Sequence, residues 1–253
     1  MALAAATLVG LLWAGFGVSH RDEQDTSFGA LRPLPAPALK IGQPEVLSSG
    51  RHLSRWTVIR YATVAHVRPS MGSPTVAELA VWTAEGTRNL ITVLRSRTGP
   101  DGKVWVEARL PVLPNGTVGW VRRDSLGPYQ VVDTHLMVDR ARLRATLYRA
   151  GRRVFTAPVG IGAAAWPTPA GEFAVRSELT RYASPFYGPV AFGTTARSAV
   201  LTDWPGGGVV GLHGTNEPSL IPGRVSHGCI RMRNEDILRL GRLMPVGTPL
   251  TIR

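Results

Sequence analysis

Residues Ala2 to Val18 form an uncharged run of 17, mostly Ala, Leu, Val and Gly, closed by His20-Arg21-Asp22-Glu23. The run is long for the apolar part of an export signal and just short of a membrane span of about 20 residues. It lacks a basic start and a small-x-small cleavage site. A chain end this apolar rarely packs into a core as a buried helix, so export is expected, with cleavage or retention as an anchor both open. Next comes Leu31-Arg32-Pro33-Leu34-Pro35-Ala36-Pro37, then Ser48-Ser49-Gly50. Proline at alternate positions prevents helix and favours an extended spacer. Residues 1–50 therefore read as a signal or anchor segment with a proline-rich linker.

From Trp56 onward, short apolar runs alternate with turn residues. Thr57 to Val67 and Asn89 to Leu94 are rich in β-branched and aromatic residues. Gly99-Pro100-Asp101-Gly102 is a turn, and the run after it, Val104 to Leu110, sets Val104, Val106 and Ala108 on one face. Pro114-Asn115-Gly116 is a second turn, before Val118-Gly119-Trp120-Val121. Strands this short at this spacing predict a small β-barrel or sandwich over residues 51–127. Leu126-Gly127-Pro128 breaks the pattern, and residues 128–253 form a second β-rich region. There Leu136 to Asp139, Arg144 to Arg149 and Arg153 to Val159 are predicted strands, with a turn at Ala150-Gly151. One clear helix is predicted late, capped by Asn234, with Glu235 and Asp236 at the positive end of its dipole and Ile237, Leu238 and Leu240 buried. Pro245 and Gly247 stop it, and Pro249 to Arg253 read as a closing strand. The fold class is mainly β, with a few short helices.

Composition narrows the function. Apolar residues make up 44% of the 253 and charged residues 18%, as in a globular protein. The formal net charge is +12, and 27 of the 29 cations are arginine. The excess is spread, +6 over residues 51–127 and +7 over residues 128–253, so neither region is a basic reader head. With no RNP-like aromatic motif, no zinc-finger spacing and no long basic run, nucleic acid is not an expected partner. An anionic cell-envelope polymer fits diffuse positive charge at least as well. One cysteine, Cys229, rules out an intramolecular disulfide and any CxxC or four-cysteine site.

That cysteine sits in Ser226-His227-Gly228-Cys229-Ile230-Arg231, sixteen residues after the histidine of Leu212-His213-Gly214-Thr215. A thiol with a pKa near 8.5 needs a base or a positive environment to react at neutral pH. His213 or His227 can take its proton and return it to a leaving amine. Gly228 lets a carbonyl approach the backbone, so the amides of Gly228 and Cys229 are candidate oxyanion donors. Other readings stay open: Cys229 as a small buried hydrophobe, or His213, His227 and Cys229 as zinc ligands, with His-x-Cys on one face of a strand.

These residues resemble a family signature. His213-Gly214-Thr215, a spacer, then Ser226-His227-Gly228-Cys229-Ile230-Arg231-Met232 resembles that of the YkuD-type L,D-transpeptidase catalytic domain. Thr168-Pro169-Ala170-Gly171-Glu172-Phe173 resembles its TPxGxF segment, preceded by Val159-Gly160-Ile161-Gly162. The Gly-Trp-Val near residue 120 resembles a bacterial SH3-like module. The resemblance implies an SH3-like β-barrel followed by a YkuD-like β-sandwich holding the cysteine in a narrow cleft. It implies that Cys229 attacks a peptidoglycan stem tetrapeptide to give a thioester and then a 3→3 crosslink. His213 would be the base, oriented by the Gly214 carbonyl, with Ser226 and His227 shaping the site. Arg231 stands where many relatives have asparagine, and would pair with a substrate carboxylate. No metal or organic cofactor is implied, and carbapenem-type β-lactams are the implied inhibitors. The enzyme would be extracytoplasmic, in the cell envelope, touching membrane only through its N-terminal segment. An L,D-carboxypeptidase on the same fold and a non-catalytic wall-binding protein are the competing functions.

Overall fold

The computed structural model describes residues 43–49, 52–180, 184–201 and 208–253. The expected export run and the proline-spaced stretch before residue 43 lie outside them. Two sheets contain nearly all of the regular structure. The first is built from β1 (Glu45–Val46), β2 (Ser54–Val58), β3 (Thr63–His66), β4 (Thr75–Leu79), β5 (Leu90–Thr98), β6 (Val104–Arg109), β7 (Val118–Arg122) and β8 (Gln130–Val132). Its order is β4-β3-β7-β6-β5-β2-β8, with β1 on β5. Ile59, Ile91, Val93, Val106, Ala108 and Val121 lie at the centre of its apolar core. The β5–β6 turn needs a positive φ at Gly102 (73°), which glycine adopts without steric cost.

Two sequence expectations change here. Thr57 to Val67 is two strands, because the chain turns at Arg60-Tyr61, whose amides both donate to the Ser125 carbonyl. In β6, Val106 and Ala108 are buried but Val104 is 45% exposed. The opposite face of β6 is covered instead, through Trp105, which is fully buried against the edge of His66. Gln130–Val132, past the break at Leu126-Gly127-Pro128, pairs with β2 and so belongs to the first sheet.

The second sheet comprises β9 (Thr134–Asp139), β10 (Arg144–Arg149), β11 (Arg152–Pro158), β12 (Gly160–Gly162), β13 (Gly171–Leu179), β14 (Ala191–Arg197), β15 (Val209–His213), β16 (Gly223–Ser226), β17 (Ile230–Arg231) and β18 (Pro249–Ile252). Its order is β11-β10-β9-β18-β13-β14-β15-β17-β12-β16. The closing strand β18 is parallel to β9 and antiparallel to β13, and so occupies the middle of the sheet. One α-helix, α1 (Asn234–Gly241), packs Ile237 and Leu240 into the core beside Phe192, Leu212 and Ile230. Leu238, expected on the buried face, is 40% exposed, since it lies about 100° around the helix from Ile237. Asn234 is the first helical residue and not the cap; Arg233 holds the cap position without a side-chain bond. Among the described residues no helix is long and apolar enough to cross a membrane.

Side chains link the two sheets. Arg176 on β13 pairs with Glu85 at 2.6 Å. The Asn115 carboxamide donates to the Arg197 carbonyl and accepts from its N–H, at 2.7 and 3.0 Å. Arg197 Nε donates to the Pro111 carbonyl.

Candidate active site

Strand pairing brings the cysteine and the histidine together. β15 and β17 are parallel neighbours, with Leu212 opposite Ile230 and His213 opposite Arg231. One step back in that register, Cys229 lies beside Gly211. Side chains alternate across a strand, so Gly211, His213 and Arg231 share one face, and Cys229, just ahead of β17, lines the same cleft. A Cβ on Gly211 would sit 3.7 Å from Cys229 Sγ and 3.8 Å from His213 Cδ2, so the missing side chain leaves open space between thiol and imidazole. The Gly211 N–H donates to Cys229 Sγ at 3.3 Å. All three side chains line a cleft of about 320 Å³, with Phe186, Tyr187 and Leu201 on its apolar walls.

The imidazole is set by two contacts. Nδ1 lies 2.6 Å from the Gly214 carbonyl, which can only accept, so Nδ1 carries the proton and Nε2 is left as the base. Tyr187 packs edge-on against the ring at 4.8 Å. Burial pushes the His213 pKa down to about 4, and the Arg231 charge adds to this, against the Gly214 hydrogen bond. Burial pushes the Cys229 thiol up, with the Gly211 amide and Arg231 pulling it back. Both shifts favour the uncharged form, so thiol and imidazole both rest neutral in the cleft.

The residues around the thiol hold one tight turn. Ser226 Oγ donates to the Cys229 carbonyl at 2.5 Å and accepts from the Gly228 N–H at 3.1 Å. The Gly228 amide is therefore engaged, leaving Cys229 as the better placed of the two expected oxyanion donors. Gly228 turns with φ +113°, a conformation side chains rarely adopt. Because of this turn, residues 227–229 lie between β16 and β17, so His227 and Cys229 are carried by a turn and not by the expected strand, though both line the cleft. The His227 ring packs instead on Trp166, with centroids 4.3 Å apart. Among the described residues no group of three or more His, Cys, Asp or Glu is placed to hold a metal.

Arg231 is 5% exposed, with its guanidinium over Phe186 at 4.5 Å and Nη1 3.5 Å from Glu217. Its Nε is buried without an acceptor among the described residues. Three supports were not foreseen. Thr168 Oγ1 accepts from the Gly162 N–H and donates to the Gly228 carbonyl at 2.7 Å, so the TPxGxF threonine braces the cysteine turn. Asn234 Oδ1 accepts from the Thr215 N–H and fixes the chain after His213. A Cβ at Gly214 would fall 2.3 Å from that Oδ1, so the site has no room for a larger residue there. Phe186 and Tyr187 come from a 3-10 turn, which apolar periodicity does not mark.

A thiol and a tautomer-fixed histidine in a cleft of a mostly β fold define the class of this protein. Residues 133–252 match the family model of the L,D-transpeptidase catalytic domain, YkuD. The YkuD protein of Bacillus subtilis is 35% identical over 125 residues, 49% of this chain and 68% of that one. The YkuD protein of Bacillus licheniformis is 40% identical over 106 residues, 42% of this chain and 57% of that one. This chain thus spans between about half and two thirds of those relatives. A solved catalytic domain of an E. faecium L,D-transpeptidase is 25% identical, with 48% of this chain and 97% of that one covered and a TM-score of 0.37. The chain belongs to the YkuD L,D-transpeptidase family.

Proposed function

We propose that this chain is an exported peptidoglycan L,D-transpeptidase that forms 3→3 crosslinks, with Cys229 as nucleophile and His213 as general base and acid. The observation that carries the reading is the parallel pairing of β15 with β17, which sets a neutral thiol and a neutral Nε2 in one cleft. The donor stem carbonyl enters beside Cys229. His213 Nε2 takes the thiol proton as sulfur bonds to the carbonyl carbon, and the Cys229 N–H steadies the oxyanion. Collapse breaks the bond to terminal D-alanine, whose amine leaves with the proton from His213. The amine of a second stem then attacks the thioester, His213 accepts its proton, and the departing thiolate takes that proton back. Arg231, with its spare Nε, pairs with a stem carboxylate.

In this reading the catalytic domain begins at residue 133, after β8, and the SH3-like module is the first sheet, which runs on to Val132 and not only to residue 127. Residues 1–42 export the chain and hold it off the membrane, whereas Glu45 to Leu47, expected within the linker, belong to the first sheet and its core. An activated thiol in this cleft is also open to carbapenem acylation, seen as a covalent mass adduct on Cys229.

The test is disaccharide-tetrapeptide incubated with the protein and products read by mass spectrometry. The expected product is a dimer lighter than two substrates by one D-alanine, lost in Cys229→Ala while folding is kept. Tripeptide without dimer would make it a carboxypeptidase. Full crosslinking by Cys229→Ala would end the nucleophile assignment. His213→Ala should slow acylation by about 10²-fold or more at neutral pH, with partial recovery at alkaline pH as the thiol ionises unaided. An unchanged pH profile would assign the base elsewhere.

A further inference from the structure

Away from the cleft, four arginines converge on a depression of about 460 Å³: Arg140, Arg142, Arg224 and Arg253, with Asp139 the one carboxylate side chain lining it. They arrive from separate elements. Arg140 and Arg142 follow β9, Arg224 lies on the edge strand β16, and Arg253 follows β18. Asp139 is already shared, accepting from Arg142 at 2.9 Å and Arg253 at 3.4 Å. Arg224 Nη2 donates only to the Arg140 carbonyl, and Arg140 Nε is buried without an acceptor among the described residues. Four guanidinium groups face one carboxylate side chain, and an anion entering between them relieves their mutual repulsion beyond what solvent screening does.

We propose that this cradle is an oxyanion-binding site for a phosphate group, carried by a phosphodiester wall polymer. A planar carboxylate is satisfied edge-on by one guanidinium fork. Forks approaching one space from three elements suit a tetrahedral anion with oxygens facing several ways. The cradle also adjoins the thiol turn: Arg140 Nη1 donates to the Thr168 carbonyl, and the Thr168 hydroxyl donates to the Gly228 carbonyl. Polymer held here keeps the catalytic domain on the wall within reach of stems. The site itself does not depend on the transpeptidase reading. Its polymer source does rest on the wall location in that reading, and binding is scored without turnover, so either can fail alone.

The experiment titrates the full chain with inorganic phosphate, acetate and poly(glycerol phosphate) by calorimetry, at low and at physiological salt. Phosphate should bind more tightly than acetate, and the polymer more tightly than phosphate because its repeats rebind. Arg142→Gln/Arg224→Gln, both on exposed side chains, should weaken phosphate and polymer at least tenfold with the melting temperature kept. Arg60→Gln/Lys103→Gln, equal in charge but on the first sheet, should change neither. Phosphate without polymer binding would keep the site and make free phosphate its ligand. Equal loss in both double variants would mean diffuse charge only, and equal binding of acetate would mean no built oxyanion site; either overturns the proposal. So would a short DNA duplex bound more tightly than the polymer.

Discussion

Arg231 touches both reacting groups through its field, and that makes it the residue whose removal separates electrostatics from geometry. Its charge lowers the pKa of His213 and of Cys229 alike. Arg231→Gln should therefore move both upward, with thiolate absorbance appearing at higher pH and alkylation at pH 8 slowed by about tenfold for each unit gained. A thiol titration unmoved by the substitution would mean that Arg231 acts on substrate alone. Burial of His213 also has a stability cost with a definite sign. The unfolded histidine takes a proton near pH 6.5, and the folded one only near 4. Stability is lost as pH falls through that window, on the order of 3 kcal/mol in all. His213→Gln should flatten that part of a pH series of urea melts, while a wild-type curve flat between pH 6.5 and 4 would contradict the burial argument.

Elements fix where these residues meet, and here the sequence was only partly readable. Repeated β-branched runs and turn residues marked β2, β3, β5 to β7, β9 to β11 and β18, since alternation and turn chemistry are local, but they left β12 to β17, the strands around the site, unmarked. Cys229 and His213 stood out because a lone thiol beside histidine and glycine is a chemical statement independent of fold. The parallel pairing of β15 with β17 is long-range, so nothing local announced that Gly211 would lie between them. Asn234 misled for a related reason: a helix-start asparagine looks like a cap, but its oxygen is drawn to the Thr215 amide across the site. Thr168 was visible only as part of a motif, and its task appears once β12 and the cysteine turn are adjacent. Its hydroxyl satisfies two buried backbone groups, Gly162 N–H and Gly228 C=O. Thr168→Val should cost about 1–3 kcal/mol of stability and lower the acylation rate, while Thr168→Ser restores both. If Thr168→Val matched wild type in melts and in burst-phase acylation, the brace would have no role.

Across the whole described molecule, the two sheets are joined by contacts that carry charge. The Arg176 side chain is 2% exposed, and Glu85 reaches it from the first sheet at 2.6 Å with 27% exposure of its own. Burial holds the Arg176 pKa down and Glu85 works against it, so the guanidinium relies on that carboxylate. Glu85→Gln leaves a buried cation facing an amide. A fully buried pair broken this way loses 3–5 kcal/mol, and the partial exposure of Glu85 reduces that to about 2 kcal/mol. Replacing both partners by apolar residues, as in Glu85→Leu/Arg176→Met, removes the stranded charge and should recover most of the loss. The measurement is a double-mutant cycle by urea unfolding, read at Trp fluorescence and at far-ultraviolet dichroism together. A coupling near zero would make the pair a surface contact and leave the grip of Asn115 on Arg197 as the link between sheets. A clear coupling, with both probes still coincident, would mean that the first sheet lends its stability to the one that holds Cys229.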